Sequence, residues 1–214
     1  MGVFYFPSNF VYWRKVPNHE IFKKRILEYI KNNPDEYSSN VLINNGKTNH
    51  GSSTCNSFLM NWKEFVNFVI WDTLKEAIIE IDSRKNTPTT NITCSRILTS
   101  WCIKYDKDSS VALHNHQSSG RECFIIDNKK WFKTFTILYI INDPNEKSST
   151  EFVQTNSHGV SSHLEQQLYF RTSTCKNIGE GTVFAFPSNL DHQALSISKP
   201  GRVIFSCDII SEFL

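Results

Sequence analysis

The stretch Gly181-Thr182-Val183-Phe184-Ala185-Phe186-Pro187-Ser188-Asn189-Leu190-Asp191-His192 reads as a tight turn, a buried strand, a proline-containing break and a histidine entering the next strand. Such a histidine becomes a metal ligand only if others arrive on neighbouring strands. Upstream, Leu113-His114-Asn115-His116 supplies two more. On a strand, residues i and i+2 point to the same side, so both imidazoles can reach one ion. The interval between His116 and His192 leaves room for several antiparallel strands, and a distant third ligand is what closes a metal site in the mouth of a jelly roll. His114, His116 and His192 are therefore the predicted metal ligands. His19, His50, His158 and His163 read as ordinary surface or core residues.

Outward from these motifs the hydrophobic period changes once. From Ile97 to Tyr105 it is two, and further short strands are predicted at about 111–116, 122–126, 134–141, 151–155, 167–172, 182–186, 193–197 and 202–210. Turn chemistry separates them: Asp106-Lys107-Asp108, Asp127-Asn128-Lys129, Asp143-Pro144-Asn145, Gly179-Glu180-Gly181 and Lys199-Pro200-Gly201. Earlier in the chain the period is helical. Pro17 can open a helix whose apolar face carries Ile21, Phe22, Ile26, Tyr29 and Ile30, and Pro34 ends it. Trp62, Phe65, Val66, Val69, Ile70, Leu74, Ala77, Ile78 and Ile81 predict one long second helix. The predicted fold is mostly β with flanking helices, a double-stranded β-helix (jelly roll) core. It forms a single domain over residues 1–214, with 1–90 mainly helical support and 91–214 the core.

Arg202 follows the Lys199-Pro200-Gly201 turn, with Ile204 and Ser206 on the same strand face. A guanidinium directed into an apolar barrel is costly unless it meets an anion, and its planar fork suits a carboxylate. Ser206 can add a hydroxyl. The order Trp101, His114-x-His116, Phe186-Pro187-Ser188-x-Leu190-x-His192 and Arg202, with the opening Val16-Pro17-Asn18-His19, resembles the iron(II)- and 2-oxoglutarate-dependent oxygenase superfamily. The resemblance implies a mononuclear iron(II) and 2-oxoglutarate as cosubstrate, chelated through its 1-carboxylate and 2-keto oxygens, with Arg202 on the far carboxylate. It implies hydroxylation of an unactivated C–H bond. Tyr139 or Tyr105 can add a hydroxyl to the cosubstrate pocket, and the apolar strands around Ile137, Tyr139, Val183, Ala185 and Phe205 are expected to exclude water.

One departure matters. The superfamily's usual second ligand is a carboxylate, and His116 stands there. Either His116 ligates, or a carboxylate comes from elsewhere, with Glu122 and Glu151 as candidates, or the position is open. Strand geometry favours three histidines. Two other readings stay in view. Cupins share His-x-His and a Gly181, Pro187, His192 spacing but do not need Arg202 inside, and a metal-free jelly roll can serve as a binding module.

Composition bounds the rest. With 16 Phe and 5 Trp the chain can close a core, and with 23 basic against 21 acidic residues no general affinity for polyanions such as nucleic acid is implied. No apolar run spans a bilayer, the opening Met1-Gly2-Val3-Phe4-Tyr5-Phe6-Pro7 has no basic region of a signal peptide, and the six cysteines form no Cys-x-x-Cys pair. A cytoplasmic enzyme with reduced thiols is expected. Its substrate is a small molecule or a protein side chain, met by polar loops at about 38–57, 142–149 and 156–166.

Overall fold

The structure, a computed structural model, describes residues 1–5, 9–38, 43–48, 58–84, 92–117, 123–144, 150–154 and 168–213. Its strands are β1 (Gly2–Tyr5), β2 (Phe10–Lys15), β3 (Ile43–Thr48), β4 (Ile92–His114), β5 (Cys123–Ile126), β6 (Lys129–Asn142), β7 (Thr150–Gln154), β8 (Leu168–Arg171), β9 (Thr182–Pro187), β10 (Asp191–Ala194) and β11 (Arg202–Phe213). The sheet order is β1-β2-β9-β6-β11-β4-β10-β7-β8, with β3 paired to β4 and β5 to β6, all antiparallel. The predicted jelly-roll class is what forms.

Strand β11 shows why. It is buried from Arg202 to Ser211, so it needs cover on both faces. Hydrogen bonds to β4 on one edge and β6 on the other remove its edges. Its odd positions, Val203, Phe205, Cys207 and Ile209, join Ile137, Tyr139 and Ile141 of β6 and Val183 and Ala185 of β9 in a core roofed by helices. Ile204, at an even position, joins Leu138, Ile140, Phe184 and Phe186 in a second core inside the barrel. The period of two thus sorts these side chains between roof and lumen.

The roof is α1 (His19–Asn32) and a longer helical rod. Helix α1 buries Phe22, Ile26 and Ile30, but Ile21 is exposed, so the predicted apolar face is narrower than the sequence pattern. The predicted second helix is interrupted: a turn at Lys63–Phe65 leads into a π-helix at Val66–Trp71 and then α2 (Asp72–Arg84). Arg14 of β2 explains the interruption. Its Nη2 donates to the Phe68 carbonyl and its Nε to Thr73 Oγ1 at 3.1 Å, so a side chain from the sheet takes up a carbonyl inside the rod.

Two further expectations change. The first 90 residues hold the helices but also β1, β2 and β3, so part of the sheet is built from them. Asp106-Lys107-Asp108 does not separate two strands. It bends one, with Asp108 at φ 61° and its N–H donating to the Ile197 carbonyl. Before the bend β4 pairs with β11, and after it with β10, so one strand serves both sheets of the roll. By contrast Asp127 and Asn128, both at positive φ, make the two-residue hairpin between β5 and β6 that their chemistry predicts.

Candidate metal and anion site

The two histidine motifs meet because β10 pairs with the far end of β4, setting His192 directly opposite His114. The Pro187 break places it there: Ser188 N–H donates to Thr134 and the Ser188 carbonyl accepts the His116 N–H at 2.9 Å. The imidazole centroids lie 4.4 Å apart for His114 and His192, 4.9 Å for His116 and His192, and 5.3 Å for His114 and His116. One ligand atom from each falls within 4.8 Å of the others.

The tautomers are set from behind. His114 Nδ1 is 2.8 Å from the Ala112 carbonyl and His192 Nδ1 is 3.2 Å from the Leu190 carbonyl. A carbonyl only accepts, so both Nδ1 atoms carry the proton. His116 Nδ1 lies 2.6 Å from Asp208 Oδ1. Each ring is left with Nε2 as its free donor, the state a divalent metal needs. Burial holds His192 well below its ordinary pKa, helped by the two neighbouring imidazoles, and burial lowers His114 as well. Three imidazole nitrogens converging in this way, two of them held neutral by burial, fit a transition metal such as iron.

Of the carboxylate alternatives, Glu151 does not converge here. Glu151 is buried, but its oxygens accept from Arg171 Nε and Gln193 Nε2, both at 2.5 Å. Glu122 lies outside the described residues, as do His50, His158, His163 and most of the three expected substrate loops. A second acidic and histidine cluster, His19, Glu20 and Glu180, is already served by a cation: Lys23 Nζ is 2.5 Å from Glu180 Oε1. It ties α1 to the Gly179–Gly181 turn.

A cavity opens beside the histidines, lined by Trp101, Ile103, Tyr105, Val111, Leu138, Thr150, Ile204 and Ser206. Arg202, 0% exposed, lies behind this lining, against Thr150 and Tyr105. Its Nη2 donates to Thr150 Oγ1 at 3.1 Å, and Asp143 Oδ2 is 3.5 Å from Nε. Arg202 Nε and Nη1 and Ser206 Oγ are buried with no hydrogen-bond partner among the described residues. Unanswered donors this deep are costly unless an acceptor fills the space between them. Tyr105 lies under the guanidinium, 5.3 Å from its centroid, and burial pushes its phenol up to about 12.

Two sequence expectations are corrected. Tyr139 does not face the cavity. It is an odd residue of β6, and its hydroxyl bonds His19 Nδ1 at 2.6 Å on the helix side. Ile137, Val183, Ala185 and Phe205 share that roof face, so the even residues Leu138 and Ile204, with Trp101, Ile103 and Val111, do the shielding instead. Asp208 was not foreseen. An acid two residues beyond Ser206, on the same face of the strand, is the signal that marks it.

No family model matches the chain, and no curated protein matches it in sequence. Solved structures do match. A prolyl-4-hydroxylase from Pseudomonas putida aligns at 11% identity and TM-score 0.50, over 95% of this chain and 92% of that one. The non-haem α-ketoglutarate-dependent carbocyclase SnoK of nogalamycin biosynthesis aligns at 10% identity and TM-score 0.57, over 94% and 79%. HygX from Streptomyces hygroscopicus, with nickel, 2-oxoglutarate and hygromycin B bound, aligns at 12% identity and TM-score 0.51, over 93% and 82%. The double-stranded β-helix that holds these histidines is therefore the fold of the 2-oxoglutarate-dependent oxygenases.

Proposed function

We propose that the protein is an iron(II)- and 2-oxoglutarate-dependent oxygenase that hydroxylates an unactivated C–H bond of a small molecule or a protein side chain. The observation that carries this reading is the meeting, in one barrel, of three converging imidazoles and a buried Arg202 guanidinium whose Nη1 has no hydrogen-bond partner among the described residues. His114, His116 and His192 would hold the iron. Arg202 would bind the far carboxylate of the cosubstrate, with Ser206 Oγ donating beside it and Thr150 Oγ1 fixing the fork. With O₂, this pair supplies an oxidant able to attack such a C–H bond while 2-oxoglutarate becomes succinate and CO₂.

The chain's own residues do the rest. Trp101, Ile103, Val111, Leu138 and Ile204 keep the cavity apolar and exclude bulk water. The backbone carbonyls of Ala112 and Leu190 hold two rings in the ligating tautomer. A cupin-type centre would share the histidines but has no use for a buried Arg202 with Nη1 left open. Residues 1–214 are read as one oxygenase unit working in the cytoplasm.

Anaerobic titration of the iron(II)-loaded protein with 2-oxoglutarate tests this. A visible metal-to-ligand charge-transfer band is expected, and its absence in folded protein would sink the proposal.

A further inference from the structure

The acid missing from the ligand set is present, set one ring behind it. Asp208 is 3% exposed and lies at an even position of β11, facing the lumen with Arg202 and Ser206. Its Oδ1 accepts from His116 Nδ1 at 2.6 Å and from Thr136 Oγ1 at 3.1 Å. Lys133 Nζ lies 3.4 Å from Oδ2 and donates to the His116 backbone carbonyl at 2.7 Å. Lys133 supplies the countercharge a buried carboxylate needs. The other two rings differ: His114 and His192 rest on neutral backbone carbonyls.

A carboxylate at Nδ1 draws that proton toward itself and raises the electron density at Nε2, making the ring a stronger donor. We propose that Asp208 is a positioning and charge-supplying residue: through His116 it provides the three-histidine centre with the negative charge a ligating carboxylate would bring. This rests on the three-histidine reading above. Asp208 does not replace His116 as ligand, because both its oxygens are engaged and β11 is pinned between β4 and β6. Thr136, which also lies within hydrogen-bond distance of Ser188 Oγ at 3.2 Å, steadies the pair.

The test is titration of the metal-free, full-length protein with Co(II) alone. Asp208→Asn keeps the shape and an acceptor oxygen for Nδ1–H but removes the charge. Asp208→Ala removes both. Both variants are expected to weaken Co(II) binding roughly 10- to 100-fold. Wild-type affinity in Asp208→Asn overturns the charge role even if Asp208→Ala is impaired, since Asp208 would then be an anchor only. If the variants fail to fold, wild-type protein labelled with ¹⁵N-histidine and loaded with Zn(II) decides. One of the three Nδ1 protons is expected downfield of the other two, and three equivalent shifts overturn the proposal. A wild type that binds no Co(II) overturns the three-histidine centre and this role with it. A wild type that binds Co(II) but not 2-oxoglutarate overturns the oxygenase reading alone and leaves the variants to judge Asp208.

Discussion

Arg202 has its charge partly met by Asp143 and its fork partly met by Thr150, which leaves Nη1 for a ligand. Arg202→Lys should keep the ion pair yet lose the planar two-point grip. We expect at least a tenfold rise in the 2-oxoglutarate concentration that half-saturates the charge-transfer band, with little change in melting temperature. His192→Ala should abolish that band altogether, since it removes the most buried of the three donors. The histidines were legible because metal chemistry restricts residue type and strand spacing restricts position. Asp208 was not, because its meaning comes from a contact with His116 across 92 positions of chain. Tyr139 was misplaced for a related reason: Thr134 to Ile141 is apolar on both faces, so nothing local says which parity faces the lumen.

At the level of elements, the π-helix is the feature the sequence conceals. The 3.6-residue pattern over Trp62 to Ile81 is that of an unbroken helix, and Arg14, which breaks it, lies 54 residues upstream of Phe68. Arg14→Met should leave a carbonyl of the rod and the Thr73 hydroxyl without their charged partner. The expected loss is roughly 1.5–3 kcal/mol of folding stability, read from urea denaturation. The long bent β4 was concealed in the same way. Asp106-Lys107-Asp108 has turn composition, and only the pairing of its two halves with β11 and β10 shows that the chain bends there without leaving the sheet.

For the whole molecule, the clustered imidazoles couple pH to stability. His192 and His114 are held below the ordinary value of 6.5, so the unfolded chain takes up protons there that the folded chain refuses. Their contribution is full above pH 6.5 and is lost as the pH falls below it. The metal-free protein should therefore melt at progressively lower temperature from pH 7 to pH 5, as measured by calorimetry. Adding Co(II) at pH 7 should raise the melting temperature, by about 2.7 kcal/mol of stability at one hundred times the dissociation constant.

Strand β11 also acts as a ruler. It carries Arg202, Ser206 and Asp208 along one face, and both its edges are riveted to neighbours. Its graduations are fixed at about 3.3 Å per residue. Inserting one residue between Arg202 and Asp208 would swap lumen for roof, and inserting two would slide the guanidinium by about 7 Å relative to the imidazoles. The reach between anion grip and ligand cluster can therefore change only in coarse jumps, so drift in acceptable cosubstrate length has to come from side-chain swaps at Arg202, Ser206 or Thr150.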